Sequence, residues 1–355
     1  MKIVFLTNNL DIKNGGGRFS RDLITRIKKE NIEVKILTTV ASDYKEEEVI
    51  VYNSKLKLFF SLFKIRKIFK DYDIVHAIDG FPYAIVAAIC NLGLKKKFII
   101  TAIGSGAIQP LYSKWSAMLK WAYHKADKIT AISSYTADEI NKKITDLVIK
   151  VIIPGIDYNH FAQQSADENK YKPYILSVGR IKERKGQYFS IKAFAKVSKQ
   201  YKNLKYIIVG SSRGRYYRKI SDLIKKLDIV DKIIFKEDIS DQELVSFYKN
   251  AELFILLPQN VDYDIEGFGL VFVEAASFGL PVIGALQSGA IDAMLDGQNG
   301  FLVEPQNTDQ TAKQMLKILN DHDLRDSFAK RSIEFAKSLD WQFIIKEYKE
   351  IYKNI

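Results

Sequence analysis

The chain has 355 residues, 47% hydrophobic and 27% charged; this is the composition of a sequence that buries cores rather than a disordered or fibrous one, and at ~150 residues per domain it suffices for about two. Its single cysteine, Cys90, excludes an intrachain disulfide framework or a Cys-x-x-Cys redox pair and fits a reducing compartment. A formal net charge of +12 calls for an anionic partner such as phosphate, nucleic acid or an acidic membrane face.

The opening Met1-Lys2-Ile3-Val4-Phe5-Leu6 is too short an apolar run for a secretory signal. In chain order, Ile3 to Thr7 reads as a strand, Asn14-Gly15-Gly16-Gly17 as a tight loop, Phe19 to Lys29 as a helix and Val34 to Thr39 as a strand, together a βαβ unit. The apolar stretch Phe81 to Leu94 is interrupted by Pro82, Asn91 and Gly93 and falls short of the ~18 residues that span a bilayer. The expectation is a soluble or peripheral protein. Short apolar runs at Ile74-Val75, Phe98 to Ala102, Lys128 to Ile132 and Lys150 to Ile153 alternate with helical patterning, as a helix-covered parallel sheet requires. After Pro154-Gly155 the tract Ala162 to Lys172 turns polar and unpatterned, which sets a domain boundary there.

A second alternation follows. Strands are expected at Tyr174 to Val178, Tyr206 to Val209, Lys232 to Phe235, Leu253 to Leu257 and Val282-Ile283. Helices are expected at Gln187 to Lys199, Tyr217 to Leu227, Asp241 to Lys249, Val271 to Phe278, Asp309 to Asn320 and Leu324 to Lys337. Two doubly wound α/β domains are the economical reading.

The most informative string is Glu266-Gly267-Phe268-Gly269-Leu270-Val271-Phe272-Val273-Glu274, followed by Gly279, Pro281 and Val282. Its two carboxylates bracket a glycine turn that opens a helix. Free N–H groups at Gly269 and Leu270 suit an anion at the positive end of the helix dipole, and carboxylates accept hydrogen bonds in pairs, which suits vicinal sugar hydroxyls. A second constellation, Ser177-Val178-Gly179-Arg180 with Lys185-Gly186, places a planar fork and a point charge at a strand's carboxyl end, where they can neutralise a departing diphosphate.

These strings resemble the signature of the family 4 retaining glycosyltransferases. That resemblance implies an α/β fold of GT-B type, with two Rossmann-like, doubly wound parallel-sheet domains facing across a cleft. The N-terminal, acceptor-binding domain is expected at 1–160, the nucleotide-sugar-binding domain at 171–340, and a last helix, 341–355, packs back on the first. In the roles the family implies, Glu266 contacts the donor sugar and Glu274 the nucleotide ribose. Arg180 and Lys185 meet the diphosphate, while Gly179, Gly267, Phe268, Gly269 and Leu270 contribute to the donor site. Gly16 and Gly17 match the family's N-terminal glycine loop, where the lack of side chains lets backbone approach a phosphate. The activity implied is transfer from a nucleotide-diphosphate sugar, UDP-sugar foremost, to a hydroxyl of a saccharide or polyprenyl-linked acceptor in cell-surface polysaccharide or glycolipid assembly. No metal, no cofactor and no nucleic acid are expected. The Asp71-Tyr72-Asp73 and Asp262-Tyr263-Asp264 strings read as ordinary turn acids.

The chain departs from the family at Thr101-Ala102-Ile103-Gly104, where many relatives carry a histidine in place of Ile103. His76 reads as a packed residue of its strand. A catalytically silent nucleotide- or lipid-binding subunit and a nucleotide-sugar epimerase of the same fold remain the alternatives. Finally, the segment from Lys55 to Lys70 carries no acidic residue. If it is helical, Leu58, Leu62, Ile65 and Phe69 pack inward, and Leu56, Phe59, Phe60 and Phe63 form a second stripe. With Lys55, Lys64, Arg66 and Lys67, that stripe suits an anionic membrane surface. The expected location is cytoplasmic, with a peripheral seat on the inner face of the membrane.

Overall fold

The structure, a computed structural model, describes residues 1–162 and 169–355. Most of the polar tract at 162–172, and the side chain of Lys55, lie outside the described residues. The chain divides into two compact units, Met1–Gly155 with Gln342–Ile355, and Ile156–Trp341. Residues 156–160, read from sequence as the end of the first domain, thus belong to the second unit. The cause is local: the Ile156 N–H donates to the Leu339 carbonyl at 2.9 Å, the Trp341 N–H donates to the Ile156 carbonyl at 3.0 Å, and the Tyr158 N–H donates to Asp340 Oδ2 at 3.2 Å.

In unit 1, strands β1 (Lys2–Thr7), β2 (Glu33–Thr38), β3 (Glu47–Val49), β4 (Ile74–Ile78), β5 (Lys97–Ala102), β6 (Lys128–Ala131) and β7 (Ile149–Val151) form one sheet in the order β3-β2-β1-β4-β5-β6-β7. The pairings are parallel, with Phe5 opposite Ile36 on one side and His76 on the other. Ile3, Val4, Phe5 and Leu6 are fully buried, as expected for a central strand covered on both faces. Unit 2 repeats the plan with β8 (Tyr174–Val178), β9 (Lys205–Val209), β10 (Ile233–Lys236), β11 (Phe254–Ile255), β12 (Val282–Ala285) and β13 (Gly300–Val303), ordered β10-β9-β8-β11-β12-β13. In each unit the strand order reverses once, at β1/β4 and at β8/β11. Ligands of open α/β sheets sit at the carboxyl ends of the strands beside such a reversal.

One expected element changes, and two more are added. The run Gly15-Gly16-Gly17 is not a loop but the first turn of the helix Gly15–Lys29, because Asn14 caps it and accepts the Gly17 N–H at 2.7 Å. The apolar stretch after Phe81 yields a short buried helix, Ile85–Asn91. The short strand β3, polar in sequence, forms by pairing with β2. The helix Trp341–Lys353 belongs to unit 1 from Gln342 onward. There the Tyr352 hydroxyl lies 2.7 Å from His76 Nδ1, and His76 Nε2 lies 2.7 Å from Thr101 Oγ1. Complete burial holds the His76 imidazole down to about 3, so it is neutral and joins the helix to the sheet.

Candidate active site

In unit 2 the loop leaving β8 carries the basic pair, and the loop leaving β11 carries the carboxylate motif. After Gly179 and Arg180 the backbone makes a short 3-10 turn, Glu183–Lys185, which aims Arg184 and Lys185 the same way. Lys185 Nζ lies 2.6 Å from Glu266 Oε2, and Arg184 Nη1 donates to the same oxygen. Arg184 also reaches Asp264 Oδ1 through Nε at 3.4 Å. All three central groups are withdrawn from water, with side chains only 15%, 9% and 12% exposed for Arg184, Lys185 and Glu266.

The electrostatics of the trio follow from this packing. Burial pushes the Glu266 carboxyl up, but Lys185 and then Arg184 outweigh it and hold the group at about 2. For Lys185, burial dominates and pulls the ammonium down, with Arg184 and Arg180 adding repulsion and only Glu266 opposing. A carboxylate kept ionised beside a lysine that is reluctant to stay charged is an arrangement that an incoming anion stabilises.

The Glu266 backbone is fixed from behind. The Gly289 N–H donates to the Glu266 carbonyl at 2.9 Å, and a Cβ on Gly289 would stand 2.0 Å from the Gly267 carbonyl oxygen. Only a bare backbone fits there. Phe268 is buried and anchors the turn, while Gly267 and Leu270 stay half-exposed. Gly269 takes φ +91° and opens the helix Leu270–Ser277, whose first turn no side chain caps. That leaves N–H groups at the positive end of the helix for an anion. One turn on, Glu274 is buried and accepts the Tyr248 hydroxyl at 2.9 Å; Tyr248 itself stacks on Phe278 with ring centroids 5.4 Å apart.

Gly179, Lys185, Glu266 and the Gly269 turn therefore belong to one local constellation. Arg180 is exposed and touches neither carboxylate, acting on Lys185 through its charge. Arg184 is the group that sequence reasoning passed over. In sequence it is one of several loop cations, and only the 3-10 turn distinguishes it.

Gly16 and Gly17 lie in unit 1, on a cavity of about 150 Å³ at the carboxyl ends of β1, β4 and β5. Ile103 lines it too, and a Cβ on Gly16 would stand 3.3 Å from Ile103 Cδ1. The position that holds a histidine in many relatives is here an apolar wall over the bare helix turn. The remaining polar lining comes from Thr7, Asn8, Asn14, Tyr83 and Asp79. Asp79 escaped the sequence reading because nothing in the string Asp73 to Gly80 distinguishes it from an ordinary turn acid.

The helix Lys55–Phe69 turns Ile65 and Phe69 into the core and leaves Leu56, Phe59, Phe60 and Phe63 at 68%, 56%, 65% and 69% exposed. The rings of Phe59 and Phe60 meet edge to face, with centroids 5.7 Å apart. Two of its expected surface cations are instead engaged within the unit. Lys64 pairs with Glu48 at 2.8 Å, and Arg66 Nη1 donates to the Cys90 and Leu92 carbonyls at 2.8 and 2.6 Å, at the carbonyl end of the helix Ile85–Asn91. Lys57 and Lys67 remain exposed. Among the described residues no helix is long and apolar enough to cross a membrane.

Residues 13–160 match the family model described as Glycosyltransferase Family 4, and residues 159–335 match that of Glycosyl transferases group 1. An uncharacterised glycosyltransferase of Methanocaldococcus jannaschii is 27% identical over 348 residues, 94% of this chain and 93% of its own length. A GDP-mannose-dependent alpha-(1-6)-phosphatidylinositol monomannoside mannosyltransferase of Mycolicibacterium smegmatis is 25% identical over 207 residues, 55% of this chain and 54% of its own. The crystal structure of Anabaena HepE with UDP matches 100% of both chains at TM-score 0.85 and 18% identity; that with UDP-glucose matches at 0.82 and 19%. The two-sheet α/β architecture is thus that of GT-B glycosyltransferases. With its two units matched in turn from residue 13 to residue 335, the chain belongs to the group 1 glycosyltransferases.

Proposed function

We propose that the chain transfers a sugar from a UDP-sugar to a hydroxyl of a saccharide or lipid-linked saccharide, with retention of anomeric configuration and without a metal. One observation carries this reading: the buried Lys185–Glu266–Arg184 cluster beside an uncapped helix start at Gly269. The donor enters as an anion. Its diphosphate takes Lys185 and the Gly269 and Leu270 N–H groups, with Arg180 supplying further positive charge from the exposed side. Its sugar hydroxyls take Glu266, and its ribose takes Glu274. Gly179, Gly267 and Phe268 shape the walls. The choice of UDP draws support from the UDP-bound structures of HepE, at fold level only.

In the transfer step the bond between the anomeric carbon and the diphosphate oxygen breaks as the acceptor oxygen bonds to that carbon. The acceptor proton passes to the departing diphosphate oxygen on the same face. Lys185 and the helix N–H groups stabilise the charge that develops on that oxygen, so no protein nucleophile is needed and Ile103 is compatible with turnover. Release of UDP from UDP-glucose, slow in water and faster with acceptor, tests the reading. A Lys185→Ala or Glu266→Ala protein that turns over undiminished refutes it. Ile103 also favours a second reading, a silent nucleotide-binding subunit, which predicts UDP binding without any turnover of the sugar.

The acceptor-bearing surface is proposed to be an anionic membrane face, met by Phe59, Phe60 and Phe63 with Lys57 and Lys67 beside them. Aromatic groups between lysines are the composition of an interfacial helix. On this proposal the protein acts as a peripheral enzyme of the cytoplasmic side.

A further inference from the structure

The Glu266 carboxylate is engaged through one oxygen. Lys185 Nζ and Arg184 Nη1 both meet Oε2, and among the described residues no donor meets Oε1. A carboxylate offers about four acceptor positions, so Oε1 is the oxygen left for a ligand. The two cations on Oε2 are held differently. Among the described residues Lys185 pairs with Glu266 alone. Arg184 has two further anchors: its Nε lies 3.4 Å from Asp264 Oδ1, and its carbonyl accepts the Gln259 N–H at 2.7 Å. Gln259 is itself buried, and its side-chain amide donates to the Leu257 and Pro258 carbonyls at 2.9 and 3.1 Å.

The Asp264 anchor is built with equal care. The Asp264 N–H donates to the Val261 carbonyl at 2.8 Å and the Val261 N–H returns to the Asp264 carbonyl at 3.2 Å, closing a tight hairpin over Asp262 and Tyr263 at φ +50° and +63°. Two-residue hairpin loops call for positive φ at both central positions, and this one accepts the left-handed region without a glycine. What the strain secures is the place of Asp264 against Arg184.

An entering diphosphate draws on Lys185, whose ammonium is a single point charge; what it gives to phosphate it withdraws from Glu266. A buried carboxylate left without its cation is strongly destabilised, so the site needs a second cation that does not follow the phosphate. Arg184, tied to Asp264 and to the Gln259 backbone, meets that need. We propose that Arg184 is a positioning residue of the donor site, which stays on Glu266 Oε2 while Lys185 turns to the diphosphate and so keeps Oε1 aimed at a hydroxyl of the donor sugar. The assignment rests on reading the chain as a transferase that takes a nucleotide-diphosphate sugar. It divides the labour of the basic loop, Lys185 serving the phosphates and Arg184 serving the sugar through Glu266.

The test compares, by calorimetry on the full chain, the affinity for a nucleoside diphosphate with that for its sugar: UDP with UDP-glucose, GDP with GDP-mannose, ADP with ADP-glucose. For the pair the wild type binds, Arg184→Met should cost the nucleotide sugar about tenfold more affinity than the bare nucleotide, as loss of one hydrogen bond from a charged group implies. Arg184→Lys restores a cation without the fork and should recover part of that difference. On a Glu266→Gln background Arg184→Met should add no further selective loss, because the group through which it acts is gone. Asp264→Asn loosens Arg184 from a half-exposed hairpin position; it should show the same selective loss to a smaller degree, and it carries the test if Arg184→Met does not fold. Equal losses for both members of the pair, or a selective loss that persists undiminished in the Glu266→Gln background, overturn the role of Arg184 and leave the donor reading standing. A wild type that binds none of the six compounds overturns the donor reading and the role of Arg184 with it.

Discussion

Replacing Glu266 by glutamine strands Lys185. Its ammonium keeps two cationic neighbours and loses the one group that favours its charge, at a site where its side chain is 9% exposed. Removing one partner of a buried pair costs about 3–5 kcal/mol. Arg184 keeps its Asp264 contact at 3.4 Å and so escapes that penalty, which puts the expected loss at the lower end, about 3 kcal/mol. For a unit of this size that lowers Tm by about 6–12 °C. The double variant Lys185→Met/Glu266→Gln removes the stranded charge and should recover to within about 1 kcal/mol of wild type, since buried ion pairs exchange for apolar groups at little cost. The sign with pH is also fixed. In Glu266→Gln the folded lysine binds its proton less tightly than the unfolded one, so stability rises with pH, and the deficit shrinks between pH 7 and pH 10. Activity follows a different course: each single variant loses roughly 10²–10³ in turnover, and the double recovers none of it. Scanning calorimetry across pH, with UDP release as the activity readout, checks both. A Glu266→Gln protein that melts with the wild type, or a double variant that regains turnover, refutes the cluster as described.

The Gly289→Ala variant puts a Cβ 2.0 Å from the Gly267 carbonyl oxygen and must push the Glu266 turn aside, so it should cost about 1–3 kcal/mol and reduce UDP affinity; equal affinity by calorimetry counts against the turn's role. Because Asp79 titrates near 7 when folded and near the ordinary carboxylate value when unfolded, its contribution is present below about pH 4 and is lost as pH rises to 7 at about 1.4 kcal/mol per unit. Asp79→Asn should therefore gain stability on the wild type as pH rises through that window, and parallel melting curves contradict this. Changing Phe59, Phe60 and Phe63 to serine removes about 4 kcal/mol of burial, a roughly 10²–10³-fold fall in partitioning onto anionic vesicles; flotation that survives the triple change rules the surface out.

Much of the site could be read in sequence because its chemistry is contiguous. The turn at Gly269 and its helix stand in one unbroken string with both glutamates, and Lys185 follows a strand that reads plainly as apolar. What escaped detection depends on approach in space. Asn14 is an N-cap, and recognising it as one would have placed Gly15 to Gly17 in a helix rather than a loop. Arg184 differs from Arg180 and Lys182 only by the 3-10 turn that carries it to Glu266. Lys64 and Arg66 fall on the basic helix as expected, but Glu48 and the carbonyls of Cys90 and Leu92 come from distant segments and claim them. Asp79 is distinguished by a backbone angle and by the absence of a counter-charge, neither of which is written in residue type.

Where a nucleotide diphosphate binds is the most direct test of the Lys185–Glu266 site. A crystal structure with UDP should place the diphosphate within hydrogen-bond reach of Lys185 Nζ and of the first N–H groups of the helix Leu270–Ser277, with the ribose on Glu274. UDP seated elsewhere, with those groups untouched, would contradict it.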